Sequence, residues 1–134
     1  MSQTPRQIAR EKAIISVYQK LLYDANEMEI HQYLKEDELL INTERYFKFA
    51  LTLITTTIDN IDQYVTEIQK YLKKGWTFER LSYLERAVLL VSTCELLEFD
   101  MDKKIVVNEA VLFCKKYCDE DSYKFINGIL AKVI

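Results

Sequence analysis

The sequence has little of what bends or crosslinks a chain. Its 134 residues include two glycines, Gly75 and Gly128, one proline, Pro5, and one histidine, His31. Tight β-turns are therefore poorly supplied, whereas long helices meet few breakers, and the composition points to an all-helical fold. The three cysteines, Cys94, Cys114 and Cys118, cannot all pair internally. Each sits inside a helical pattern, so reduced thiols of a cytosolic protein are expected rather than a disulfide framework. Cys114 and Cys118 are one turn apart, but no histidine or carboxylate completes a ligand set beside them, so no metal and no cofactor is expected. No apolar run approaches the roughly 20 residues of a membrane span, and a signal-peptide core is missing, which points to a soluble, cytoplasmic protein. The parts of an enzyme are lacking too. There is no glycine-rich phosphate loop and no nucleophile beside a base, and the acidic runs Glu36-Asp37-Glu38 and Asp119-Glu120-Asp121 have the character of solvated caps.

What is present is apolar periodicity. Apolar residues make up 49% of the chain, enough for the core of one folding unit and too few residues for two. Thr4-Pro5-Arg6-Gln7 is a helix start of capping-box form, and the helix it opens runs to about Tyr23 on the stripe Ala13, Ile14, Val17, Tyr18 and Leu21. Arg6 and Arg10 extend that stripe toward the N-terminus, so its core-facing side turns cationic. Spacing alone leaves three readings of the pair: a binding surface, a solvated overhang, or partners for carboxylates. Residues 26–40 form a short acidic helix and loop, with His31 among solvated charges. From Asn42 a long stripe continues to Leu72, with a break expected at Thr57–Asn60 and a C-terminus at Lys73-Lys74-Gly75. Ser82-Tyr83-Leu84-Glu85 opens the next helix, which is apolar almost all round from Ala87 to Leu97, with Ser92, Thr93 and Glu95 as its polar members. It is expected at the buried centre of the C-terminal half. Asp102 caps the helix after it.

That last helix and its successor meet at an acidic corner, where Asp119, Asp121 and Ser122 are each competent N-caps. Beyond the corner, Phe125 lies off the strict apolar stripe, beside Lys124 and one turn from Asp121. An aromatic, a cation and an acceptor at a helix start are the kind of set that holds single-stranded RNA. The same residues also fit a core ring and a cap. The formal net charge is −3, but its distribution is uneven. Residues 1–20 are mostly basic and 21–44 mostly acidic, which suggests two kinds of surface.

Three blocks carry a resemblance to a known family. Near the C-terminus stand Val107-Asn108-Glu109-Ala110-Val111, Lys115-Lys116-Tyr117, Asp121-Ser122 and Lys124-Phe125-Ile126-Asn127-Gly128-Ile129-Leu130. Near the N-terminus stand Arg6, Ala9-Arg10-Glu11-Lys12-Ala13 and Val17-Tyr18. Between them come Trp76, Arg80-Leu81, Glu85-Arg86-Ala87-Val88-Leu89 and Glu95-Leu96. In order and approximate spacing these blocks resemble the NusB transcription antitermination family across nearly the whole chain. The resemblance implies one domain over residues 1–134, built as two packed three-helix subdomains, roughly 1–75 and 76–134, with about seven helices in all. It also implies a non-catalytic factor that binds boxA-type RNA together with NusE, a ribosomal small-subunit protein, and joins RNA polymerase to support ribosomal RNA transcription.

Carried over position by position, the resemblance assigns RNA contact to Arg6, Arg10, Tyr71, Asp121, Lys124 and Phe125, and the NusE side to Tyr18, Glu79 and Glu85. This reading expects Arg10 and Phe125 side by side on one exposed face, in a monomer or homodimer. Departures from the family pattern are an N-terminus diluted by Gln3, Thr4 and Gln7, Leu90 where an arginine is common, and no proline between Asp102 and Lys104. Fewer cations predict a weaker, less salt-sensitive RNA contact. Two alternatives follow: a NusE-binding adaptor with little RNA affinity, and an RNA-binding part serving a ribosomal RNA methyltransferase.

Overall fold

In the computed structural model, which describes residues 3–133, helices α1 (Pro5–Tyr23), α2 (Glu27–Lys35), α3 (Glu38–Ile41), α4 (Glu44–Asp59) and α5 (Ile61–Gln69) precede a short 3-10 turn at Phe78–Arg80. Helices α6 (Tyr83–Glu98), α7 (Lys103–Tyr117) and α8 (Ser122–Leu130) follow it. No strand occurs among the described residues.

Local chemistry accounts for most boundaries. Thr4 Oγ1 accepts from the Gln7 amide at 3.1 Å, and Gln7 Oε1 accepts from the Thr4 amide at 2.8 Å, with Pro5 in the first turn where no N–H is required. Reciprocal boxes of the same kind open α2 through Asn26 and Glu29 and α6 through Ser82 and Glu85. Asp102 caps α7 by accepting from the Lys104 amide at 2.8 Å. The long central stripe breaks at Asn60 as the threonine run predicts. There Thr57 Oγ1 donates back to the Leu53 carbonyl at 2.7 Å and Asn60 Nδ2 to the Thr56 carbonyl at 2.9 Å.

Three local expectations are revised. Helix α5 ends at Gln69 rather than at Lys73–Gly75, because Gln69 is drawn into the following loop: its Nε2 donates to the Trp76 carbonyl at 2.7 Å and its Oε1 accepts from the Phe78 amide at 3.0 Å. Residues 70–72 then continue only as tighter turns, while Gly75 takes a left-handed φ of 89°. At the acidic corner, Asp121 occupies the cap position of α8 without a side-chain cap bond, and Ser122 Oγ donates instead to Glu85 Oε2 at 3.0 Å. His31 is half-buried, edge-on to Phe47 with ring centroids 6.2 Å apart, rather than solvated.

Helix α6 lies at the centre. Every residue from Ala87 to Glu95 is buried, and the helix packs on α1, α4 and α5 as well as on α7 and α8. A helix apolar on all sides needs neighbours on all sides, and this one has them. The largest fully buried side chains include Ile14, Leu53, Tyr64, Leu89, Leu90, Ile126 and Leu130, drawn from helices on every side of it. Among the described residues no helix is long and apolar enough to cross a membrane.

Candidate functional site

The acidic member of the α6 apolar run explains one of the two N-terminal arginines. Glu95 is fully buried, and Arg10, only 4% exposed, meets it with two hydrogen bonds, Nε to Oε1 at 2.5 Å and Nη2 to Oε2 at 2.9 Å. A buried carboxylate requires such a partner, and a fork-shaped cation supplies it in two places at once. The carboxylate reading of Arg10 is therefore the one observed. Arg10 fastens α1 to α6 and presents no free guanidinium to solvent, which corrects its expected place on an exposed RNA surface.

Arg6 is different. Its guanidinium lies 4.1 Å from the centroid of the Phe49 ring, with Nη2 3.3 Å from Met101 Sδ. Its Nε is buried without a hydrogen-bond partner, and among the described residues Arg6 has no carboxylate partner. One turn on, Glu11 accepts from Lys116 Nζ at 2.9 Å, from Gln3 Nε2 at 2.8 Å and from the Tyr117 hydroxyl, and Gln7 Nε2 donates to Glu109 Oε1 at 2.9 Å. These contacts tie the start of α1 to α7. Desolvation opposes the charge on Glu11, but the bonds from Tyr117, Gln3 and Lys116 together hold its carboxyl below the ordinary 4.5.

The second predicted cluster lies near the other end of α6. Phe125 lines a cavity of about 420 Å³ together with Lys73, Trp76, Arg80, Leu81 and Glu85. The ring is half-buried, neither sealed nor fully displayed. Trp76 is 44% exposed, with the Arg80 guanidinium 5.0 Å from its ring centroid. The Gln69 clip sets the position of this tryptophan through its backbone. Glu85, beside Phe125, uses both oxygens internally, for the Ser82 amide and for the Ser122 hydroxyl. Tyr71 is half-buried and donates to Glu67 Oε1 at 3.2 Å. Lys124 and Asp121 are both exposed, with Nζ and Oδ1 3.6 Å apart. Glu79 is exposed, its carbonyl accepting from Arg86, and Tyr18 is half-buried on α1.

The predicted RNA residues thus do not form one patch. Glu85 and Glu95, which mark the two clusters, are ten residues apart on α6, about 15 Å of helix axis. Lys124 and Phe125 also diverge, because successive helical residues point about 100° apart. Phe125 faces the α6 side, and Lys124 faces a groove between α7 and α8.

The NusB family model matches residues 7–134. The chain belongs to the NusB family. It is 38% identical over 128 residues to the transcription antitermination protein NusB of a Nitratiruptor species, an alignment covering 93% of this chain and 88% of that protein. Among solved structures, T. maritima NusB superposes with a TM-score of 0.82 at 31% identity, covering 98% of this chain and 92% of the other. A crystal structure of the antitermination factors NusB and NusE in complex with dsRNA matches with a TM-score of 0.83 at 29% identity, covering 96% and 95% of the two chains.

In this member of the NusB family, two features are not legible residue by residue. Trp76 and Arg80 serve in the sequence only as marks of resemblance, yet they share the cavity with Phe125. The partner of Arg10 was visible as the lone acid in the α6 apolar run, but the two residues lie 85 positions apart in the chain. Among the described residues no group of three or more histidine, cysteine or acidic side chains is placed to hold a metal ion.

Proposed function

We propose that this chain is a transcription antitermination factor that binds boxA-type single-stranded RNA together with NusE and, in the cytoplasm, joins RNA polymerase in support of ribosomal RNA transcription. The observation that carries this reading is the cavity in which Phe125, Trp76, Arg80 and Lys73 stand together. Aromatic faces accept unstacked bases without sequence preference, and the neighbouring cations suit phosphate. The relative solved with NusE and dsRNA supports RNA and NusE as partners.

In this reading Phe125 and Trp76 stack bases, Arg80 and Lys73 contact phosphate, and Asp121 and Tyr71 offer hydrogen bonds at the margin, while Lys124, turned to the α7–α8 groove, stands outside the RNA cavity. Arg6 supplies the cation at the far end, and Arg10 positions α1 rather than touching RNA. Tyr18 and Glu79 form the NusE side, where an exposed acid suits a basic ribosomal protein, while Glu85, with both oxygens engaged by Ser82 and Ser122, holds the start of α6 against α8. With Arg10 consumed internally, NusE contributes a large share of the affinity of the complex.

Titration of a labelled boxA-like strand, and of the same sequence as a duplex, with and without NusE and at two salt concentrations tests this. Phe125→Ala is expected to weaken binding of the single strand by roughly 1–3 kcal/mol. Arg6→Ala should weaken all RNAs alike and flatten the salt dependence by about 0.7 in the log–log slope. A wild-type chain that binds NusE but adds nothing to RNA binding would favour the adaptor reading, for which the burial of Arg10 already speaks. Indifference to both partners would overturn the proposal.

A further inference from the structure

Helices α7 and α8 form an antiparallel pair, pinned where Lys103 Nζ donates to the Ala131 carbonyl at 2.8 Å and to the Val133 carbonyl. Along this pair runs an open groove of about 880 Å³. Val107 and Val111 form its floor on one side, and Tyr123, Asn127 and Ala131 its wall on the other. Phe125 is two positions from both Tyr123 and Asn127, about 200° round α8 at 100° per residue, so this groove is on the side of α8 turned away from the proposed RNA cavity.

The charge at its edge is one-sided. Lys103, Lys104 and Lys124 line the groove with Asp102, whose carboxylate is occupied in capping α7; the Lys103 ammonium is held by the two carbonyls, and Lys124, 3.6 Å from the exposed Asp121, stands with Lys104 as the cations at the rim. Lys104 and Lys124 are exposed, one on each helix. In a chain of net charge −3, such a concentration of cations over an apolar floor is complementary to an anionic partner. The partner's class follows from what lies between the cations. Tyr123 is the one aromatic among the described lining residues and is half-buried, with Lys115 Nζ at 4.8 Å and Lys124 Nζ at 5.9 Å from its ring centroid, so the groove offers no pair of rings of the kind that Phe125 and Trp76 make in the RNA cavity. The aliphatic floor instead rewards burial of aliphatic side chains. Val107 and Val111 are one turn apart, as are Tyr123, Asn127 and Ala131. Two ridges at this pitch form a trough into which a third helix fits lengthwise.

We propose that the α7–α8 groove docks an acidic amphipathic helix of a partner protein, with aliphatic residues on Val107, Val111 and Ala131 and flanking carboxylates on Lys104 and Lys124. This surface is separate from the RNA cavity, and its occupancy does not depend on RNA being bound.

The probe is a synthetic helical peptide of about four turns, with leucines at helical spacing on one face. It is made in two versions, flanked by glutamates or by lysines, and titrated against the isotope-labelled full chain while methyl resonances are followed. The glutamate version is expected to shift the methyls of Val107, Val111 and Ala131 and to bind at least about tenfold more tightly than the lysine version. The double variant Lys104→Glu/Lys124→Glu, both at exposed positions, should reverse that preference with the fold intact by circular dichroism. Equal binding of the two peptides, shifts centred elsewhere, no binding, or displacement of the bound peptide by a single-stranded RNA oligonucleotide would each overturn the proposal.

Discussion

Arg10 shows how one buried charge settles the meaning of another. Either side chain alone would be an unpaired ion in a closed interior, whereas the pair satisfies both groups through two bonds. Arg10→Ala should therefore destabilise the fold by about 3–5 kcal/mol, since it leaves the Glu95 carboxylate buried and unpartnered. The double change Arg10→Met/Glu95→Leu removes both charges at once and should lie much closer to wild type. Urea denaturation of the three proteins checks this, and a double variant no more stable than Arg10→Ala would contradict the assignment. A phosphate-contacting arginine predicts another pattern: Arg10→Ala would keep its stability and lose RNA.

Among the elements, α1 and α7 are joined mainly through polar groups, with Glu11 as the shared acceptor. Because folding lowers the Glu11 carboxyl below 4.5, its contribution to stability is complete above that value and is lost as pH falls through the lower folded-state value. Glu11→Gln should accordingly shift the denaturation midpoint at neutral pH, and the gap to wild type should close in acid; a gap constant with pH would remove Glu11 from this role. Element order and capping were largely legible in the sequence at Thr4, Ser82 and Asp102, which act on neighbours within four residues, whereas the Asn26 box and the separate short α3 do not stand out in it. Neither does the C-terminus of α5. Gln69 reaches seven and nine residues ahead to the Trp76 carbonyl and the Phe78 amide, and no local pattern announces that. The candidate site divides in the same way. Phe125 was visible as an aromatic near a helix start and Trp76 only as a mark of resemblance, but their shared cavity depends on how α8 lies against the start of α6, and a single ring's spacing does not encode that packing.

At the scale of the molecule, the outline follows from composition: scarce breakers and abundant helical stripes leave an all-helical bundle as the economical solution. The placement of charge follows less directly. The lysines of α7 and α8 are outweighed in the net charge of −3, yet three of them line one groove, and the acids of residues 21–44 lie elsewhere. A sum over the chain conceals both surfaces.

The submerged course of α6 bears on how the molecule opens. Its amides from Ala87 to Glu95 are covered by helices from both ends of the chain, so no partial detachment of α1 alone or of α8 alone uncovers them. Deuterium should reach them only through complete unfolding, at a rate set by global stability, while the amides of α2 and α3 exchange through local fraying. Mass-resolved exchange would show α6 as the last segment to label, and early labelling there would mean that the two ends of the chain part company before the fold is lost.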